Sequence, residues 1–367
     1  MHTSLRAVLL TTLFALPLYA ADKPDATQNP ADLYLRAASL ITVQSPASTN
    51  LEYSDYPPFP AEWMKISKRS WDANAPVRAL VHQARALDKA TWPQGKDFSY
   101  LNHIRNLANN IADASLYEDV QHHSAGAIEL ARDELHMATL VQENPSRDLI
   151  RVLVGAGVSA SAANRYFVII SGINLTHADH DSPDLNTRTA HEVIKELLDQ
   201  RDPTEQMIEV LGPRNSPAWN GPDVRPDLAI ETINRCNADR TMAAISLAAH
   251  LYRFDHKSWP TSLDQLVPNY LPKAPIDPWG DGKQTYGYAL IKSGLPDGND
   301  RPLAYDRCRS KDGLLYGIDE PQYGFYQSDG SHLPPNQRKQ GGQFRDIARW
   351  QPQPLPPNQP TLEPLPK

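Results

Sequence analysis

The sequence predicts an α+β protein, in which an all-α N-terminal domain precedes a long helix packed on a small antiparallel sheet. Apolar residues recur every three or four positions over 76–170, which is the pattern of amphipathic helices. A stretch rich in proline and glycine at 212–225 then interrupts the pattern. Short alternating runs after residue 284 indicate strands. We therefore place a helical domain at 29–211, a linker at 212–225 and an α+β head at 226–351.

The bulk composition limits the partners. A length of 367 residues is enough for two domains that each bury a core. The formal net charge is -7 and the charges of both signs are interspersed, so the chain lacks the dense basic face that a phosphate backbone requires. We expect no nucleic acid partner. Proline dominates residues 352–367, which we expect to form a disordered tail.

Residues 1–20 have the pattern of an export signal. Arg6 charges the front, an apolar run follows from 7 to 16, and the small pair Ala20 and Ala21 ends it. The run is shorter than the roughly 20 residues that cross a bilayer. We expect cleavage after Ala20 and a periplasmic or secreted protein, anchored in a membrane only if this segment is retained. No other segment is expected to span a membrane.

The helical domain is expected to begin with a short helix over 29–41. Prolines and aromatic residues over 43–75 favour an extended segment packed by its rings. Helices follow as far as residue 170, and a polar loop at 174–190 then leads into one more helix, which Pro203 is expected to end.

The head is expected to start with a continuous helix over 227–254, which contains neither glycine nor proline. Ser262 and Gln265 form the pattern of a reciprocal helix cap. Strands are expected in four short alternating runs, at 285–291, 314–318, 323–327 and 346–350.

Several spaced motifs in this head carry a family resemblance. Tyr252–Pro260 follows the long helix, and Tyr270–Gly280 comes after it with its Leu-Pro and Asp-Pro pairs. Asp329-Gly330, Gly341-Gly342 and a run of the form Asp-Ile-x-x-Trp at 346–350 close the region. In this order the motifs resemble the globular head of the major type II secretion pseudopilin. The whole chain is similar to uncharacterised exported proteins of planctomycete-type bacteria that carry a helical region before such a head.

The N-terminal half departs from that family. A working pseudopilin begins with a short leader and a hydrophobic helix that runs straight into its head, whereas residues 29–225 intervene here. We therefore expect no polymerisation of this chain into a pseudopilus.

The resemblance also implies a calcium site in the last loop of the head. By position, Asp329 and Asp346 are the carboxylates that this sequence retains. Calcium takes roughly six to eight oxygen ligands, so backbone carbonyls and water would have to complete its shell. Arg338, Lys339 and Arg345 bring positive charge to the same region. We favour aspartates that cap turns, with calcium as the alternative.

A second candidate metal site is a polar run with imidazole and carboxylate groups, which suit zinc or another transition metal. Its candidate ligands are His177, Asp179, His180 and Asp181. The run lies in a predicted loop without the periodicity that would fix ligand geometry, so a solvated loop is the favoured interpretation.

Two other histidine arrangements lie on predicted helices. His122 and His123 are adjacent and would point in different directions. Asp133 and His136 stand three residues apart, as in di-iron bundles, but such a centre needs a second pair and further glutamates. We favour a salt-bridged helix surface, formed by Glu129, Arg132, Asp133 and His136.

The sequence contains two cysteines, Cys236 and Cys308. Export would place them in an oxidising compartment, where a disulfide is chemically allowed. Neither has the neighbouring base or ligands that a catalytic or metal-binding thiol needs. A structural role is favoured, either as a disulfide between the two or as separate thiols.

The catalytic signatures that can be read locally are missing from the sequence, including the Gly-x-Ser-x-Gly elbow, the phosphate-binding loop and His-Glu-x-x-His. Glycosidase carboxylates and many triads leave no local signature, so an enzyme stays open. The main hypothesis is a non-catalytic exported envelope protein, a binding or adaptor module with a protein partner. The alternatives are a periplasmic metal-dependent hydrolase that uses His177 to Asp181, and a membrane-tethered component of a secretion or pilus-like assembly.

Overall fold

A computed structural model describes residues 28–49, 51, 53, 57, 59–94, 97–143, 148–178, 182–220, 225–280, 282–292, 300–306 and 316–318. The predicted predominance of helix is confirmed. The helices of these residues are α1 Pro30–Ser39, α2 Ala61–Ala73, α3 Ala75–Arg85, α4 Tyr100–Val120, α5 Ser124–Gln142, α6 Leu149–Ser171, α7 Thr187–Leu198, α8 Pro203–Leu211 and α9 Pro226–His256.

Two small sheets accompany the helices in the described part of the chain. β1 (Leu175–Thr176) and β2 (Leu185–Asn186) pair in parallel, within the region that we expected to be a loop. β3 (Gly287–Lys292), β4 (Asp300–Asp306) and β5 (Tyr316–Ile318) pair antiparallel in that order.

Strand β4 is not among the strands that the sequence predicted, and it contains Pro302, which cannot donate to a strand ladder. Pro302 pairs with Leu290 on β3, and among the described residues β4 pairs with β5 from Ala304 to Asp306.

The expectation of an extended segment over 43–75 is wrong from residue 61 onward, where α2 begins. The prolines mark the approach to that helix, and Pro60 is the residue that precedes its first turn. The expected packing of rings does occur. Phe59 and Trp63 stack with their ring centroids 4.0 Å apart, and Trp63 is fully buried.

The second correction concerns Pro203, at which a helix begins and does not end. Pro203 begins α8, where its missing N–H costs no hydrogen bond, although we expected it to end a helix. The side chain of Asp202 caps α8 by accepting from the N–H of Glu205 at 2.9 Å. Asn29 caps α1 in the same way and confirms the start of that helix. At 263–266 the predicted reciprocal cap is incomplete, because the Gln265 side chain accepts from the Thr261 N–H and Ser262 caps nothing.

Helix α6 lies at the centre of the helical part, where it contacts α4, α5, α8 and α9. By length and composition it is long and apolar enough to cross a membrane, although no segment beyond residues 1–20 was expected to be. In the structure, 78% of its most apolar stretch is buried within the protein. That burial is the arrangement of a core helix.

The long helix α9 joins the two halves of the chain. It packs against α6, α7 and α8, and it also contacts β4 and β5. One hydrophobic core therefore runs across the predicted domain boundary, and its members include Ile128, Ala163, Ile194, Leu247 and Tyr286. The predicted linker at 212–225 connects parts that are already in contact.

Gly155 on α6 sets how closely α5 and α6 approach. A Cβ atom at Gly155 would lie 2.5 Å from Cγ of Gln142 and 2.8 Å from the Ala138 carbonyl oxygen. Gly157, one half-turn further on the same helix, has nothing within 4 Å of such an atom.

We therefore expect opposite effects of two alanine substitutions on α6. Gly155→Ala should lower the free energy of unfolding by about 1–3 kcal/mol, because α5 must move away. Gly157→Ala should raise it by about 0.5–1 kcal/mol, because alanine loses less conformational entropy on helix formation. Urea unfolding followed by circular dichroism measures both, and equal effects of the two substitutions would contradict the close packing at Gly155.

Candidate functional site

Most of the residues proposed as metal ligands lie outside the described part of the chain. These are Asp329 and Asp346 of the calcium proposal, and Asp179, His180 and Asp181 of the transition-metal proposal. Both proposals stay predictions. Cys308 also lies outside the described residues, so the disulfide with Cys236 stays a prediction too. Cys236 is buried on α9, and burial raises the pKa of its thiol to about 12.

His177 lies just after β1 and contacts the C-terminal end of α9. Its Nδ1 atom is 3.2 Å from the hydroxyl of Thr187, and its ring meets the Phe254 ring edge-on at 4.9 Å between centroids. The other side of this loop reaches α5, where the Ala125 N–H donates to the Pro183 carbonyl at 3.0 Å. Among the described residues, no group of three or more histidine, cysteine or acidic side chains is close enough to hold a metal ion.

We expected His122 and His123 to lie on a helix. They lie instead in the turn between α4 and α5. His122 has a positive φ of 63°, which reverses the chain direction. His123 places its Nδ1 atom 3.3 Å from the Glu118 carboxylate. The two imidazoles therefore do not form a joint site.

The predicted salt-bridged surface is a partly buried network that links α3, α5 and α7. Arg132 donates to Glu129 at 2.6 Å and to Glu196 at 2.5 Å, and Arg85 pairs with Glu129. Asp133 is 1% exposed and not on the surface, and its Oδ1 atom lies 3.1 Å from Arg85 and 3.3 Å from His82. We call Arg85, Glu129, Arg132, Asp133 and Glu196 the ion-pair cluster.

His136 does not join Asp133 in a shared site. Its Nδ1 atom lies 2.8 Å from the Tyr34 hydroxyl, whereas the Asp133 carboxylate turns toward α3. Burial is the main cause that lowers the pKa of His136 to about 4, so the imidazole is neutral at pH 7 and accepts from Tyr34. This bond fastens α1 to α5.

A second polar cluster lies on the other side of α5, and sequence reasoning missed it. Asp113 from α4, Glu134 from α5 and Arg165 from α6 are 1%, 0% and 6% exposed. The Asp113 carboxylate accepts from the Ala47 N–H at 2.7 Å and from the Tyr53 hydroxyl at 3.1 Å. These bonds hold the segment before α2 against α4. We call Asp113, Glu134 and Arg165 the inner carboxylate cluster.

Glu134 is the member of the inner carboxylate cluster whose buried oxygens lack a hydrogen-bond partner among the described residues. Ser161 on α6 faces its carboxylate, but neither oxygen completes a hydrogen bond with any residue that the structure describes. The pKa of Glu134 is raised to about 8, mainly because the group is buried and to a smaller extent because of the Asp113 charge, whereas the Arg165 charge and the Ser161 hydroxyl oppose this rise. At neutral pH the carboxyl group therefore carries a proton.

The sequence contained a signal that Glu134 lies on the buried face of α5. Its neighbours three and four positions away on α5 are apolar and buried, which places the carboxylate in phase with the core face of the helix. These neighbours are Leu130, Ala131, Met137 and Ala138.

A cavity of about 140 Å³, open to solvent on one side, lies between α4 and α6. Its polar side chains are Arg105, Asn109 and Ser161, and the latter two stand one helical turn before Asp113 and Arg165. Ser161 therefore belongs both to the cavity wall and to the surroundings of Glu134.

Comparison with protein families, with curated proteins and with solved structures gives no match for this chain.

The inner carboxylate cluster predicts how stability depends on pH. In the unfolded chain Glu134 loses its proton near pH 4.5, whereas the folded chain retains it to about pH 8. Its contribution to stability is fully present below the lower value and is lost as the pH rises toward the upper one. Glu134→Gln removes this loss, so the advantage of the variant over wild type should grow by up to about 1.4 kcal/mol for each pH unit.

Denaturant unfolding at a series of pH values from 5 to 8.5 measures this difference. The control is Glu62→Gln, an exposed carboxylate on α2 whose removal should leave the wild-type profile intact. Parallel curves for Glu134→Gln and wild type would show that Glu134 is not protonated in the folded protein.

Proposed function

We propose that this chain is a non-catalytic exported protein of the cell envelope, a rigid adaptor that binds a protein partner and carries a C-terminal part built like a pseudopilin head. The observation that carries the proposal is the shared core of α9. α9 packs against both the helical part and the described strands, so it ties these two parts of the chain together through one core. A rigid body with two different faces suits an adaptor.

The residues of the resemblance support the pseudopilin-like packing through their contacts with α9. The Trp279 indole donates to Glu231 at 2.8 Å, and the Tyr270 hydroxyl donates to Asp255 at 2.7 Å. Leu263, Leu266 and Leu271 are buried in the same core as α9. Each motif thus helps to pack the segment that follows α9 onto α9.

The surface that we assign to the partner lies where α6, α8 and α9 meet. A small core of Val152, Met207 and Ile233 joins these three helices. Each helix also exposes one large apolar side chain, and the exposed fractions are 44% for Ile150, 39% for Ile208 and 53% for Leu228.

Charged pairs lie at α8 and on α9, two of the three helices that form this apolar surface. Arg201 pairs with Glu209 at the edge of α8, and Arg235 donates to Glu231 on α9 at 2.8 Å. An apolar centre with a polar rim is the usual anatomy of a protein interface. This composition favours a folded protein partner over a lipid surface.

Replacing one apolar residue of this surface should abolish partner binding. A photo-cross-linking amino acid at Ile208, in cells of the native host, should give a discrete adduct with one envelope protein, and Leu228→Asp should remove that adduct. The matched control is Leu40→Asp, which alters an equally apolar side chain, 40% exposed, just after α1. An adduct that survives Leu228→Asp, or that Leu40→Asp removes equally, would contradict the assigned surface.

Export is the other part of the proposal. The mature protein isolated from its host should begin near Ala21, because the sequence before it has the pattern of a cleaved signal. Intact-mass measurement checks this. A mass that starts at Met1 would replace the free adaptor with the membrane-tethered alternative.

A further inference from the structure

The cavity between α4 and α6 combines an apolar interior with a cation at its opening. Ala108, Val154 and Val158 are buried and form its apolar wall, whereas the side chain of Arg105 is exposed. None of the described residues that line the cavity is acidic. The charge at the opening therefore favours an anion.

Arg105 has no charged partner within the described part of the chain. Its guanidinium group forms no ion pair or hydrogen bond with any described residue. The positions one turn away on α4, which are 101, 102, 108 and 109, carry no acidic side chain. Arg85 and Arg132, by contrast, both pair with Glu129. An anionic ligand would thus not have to displace an internal partner of Arg105.

Gly157 leaves the cavity open on the α6 side. It lines the cavity and is exposed, and a Cβ atom at this position would meet nothing within 4 Å. No neighbouring side chain fills the space at this point, so a larger residue in place of Gly157 would occupy part of the cavity.

The volume and the apolar wall limit the ligand. The volume of about 140 Å³ is close to that of engineered cavities that hold benzene, so a hydrocarbon body of about six carbon atoms fits. A charged group at the exposed Arg105 keeps its contact with water, which avoids the cost of burying an ion. The same group placed against Val154 and Val158 would lose that water to an apolar wall. The ligand therefore enters with its hydrocarbon body first.

The chemistry of arginine selects the kind of anion. The planar guanidinium fork matches the two oxygens of a carboxylate and can donate to both. We infer that this cavity binds a small organic monocarboxylate, whose carboxylate pairs with Arg105 at the opening and whose hydrocarbon body covers Val154 and Val158. A second carboxylate at the far end of the ligand would be buried against the apolar wall, so the site prefers monocarboxylates to dicarboxylates.

Three probes of the same shape and different charge test this inference, namely benzoate, benzamide and benzamidinium. Each is titrated into the full mature protein, with ¹³C-labelled leucine and valine methyl groups, at pH 7 and low ionic strength. We expect saturable shifts of the Leu153, Val154 and Val158 methyl signals with benzoate. Benzamide should bind at least about threefold more weakly, which is the effect of an exposed ion pair, and benzamidinium more weakly still. Terephthalate, which would bury its second carboxylate, should also bind more weakly than benzoate.

Two variants separate the charge from the space. Arg105→Gln should weaken benzoate binding at least about threefold and leave benzamide binding unchanged, because only the charge is removed. Gly157→Leu should weaken the binding of both, because the new side chain fills part of the cavity. The matched control is Arg69→Gln, which alters an exposed arginine of α2 and should leave benzoate binding as in wild type. Circular dichroism checks that each variant is folded.

The inference is overturned if benzoate causes no saturable shift of these methyl signals, if benzamide or benzamidinium binds as tightly as benzoate, or if Arg105→Gln retains the wild-type affinity for benzoate. Leu228→Asp, which should abolish partner binding, should leave benzoate binding unchanged. The ligand site and the partner surface therefore succeed or fail independently.

Discussion

The burial of α6 is the constraint on which the rest of the structure depends. Burying this helix removes a long apolar surface from water, which is the dominant favourable contribution to folding. Its neighbours are arranged around it, with α4, α5, α8 and α9 each in contact with it. The close approach at Gly155 shows how tightly one of these neighbours packs.

The same burial takes two arginines into the interior. Arg151 is 1% exposed, donates to the Pro93 carbonyl at 2.6 Å and lies over the Phe98 and Tyr100 rings. The Asp148 carboxylate also lies 3.5 Å from its Nε atom, so the charge of Arg151 is balanced by an ion pair as well as by a carbonyl and aromatic faces. Arg165, on the opposite part of the helix, faces carboxylates from α4 and α5. Burial of the apolar helix α6 thus takes two charged side chains into the interior, and the polar groups around the helix stabilise those charges.

Asp133 and Glu134 are consecutive residues of α5, and their carboxylates lie in different surroundings. Successive residues of a helix are turned by about 100°, so Asp133 points toward α3 and Glu134 toward α4 and α6. Asp133 pairs with Arg85 and His82, whereas the Arg165 charge acts on Glu134 and is outweighed by the effect of burial on its pKa. The Asp133 carboxylate stabilises the contact between helices, whereas burial keeps the Glu134 carboxyl group protonated at neutral pH.

The amino-acid sequence by itself determined the helices with strong periodicity or a clear cap. Asn29 and Pro30 predicted the start of α1, and the apolar spacing predicted α4, α5 and α9, because these signals act between residues a few positions apart. Only the tertiary structure decided that Pro203 begins a helix, that Pro302 is tolerated in β4, and that Asp113, Glu134 and Arg165 meet. These outcomes depend on which surfaces face one another across long sequence separations, and local propensity carries no information about that.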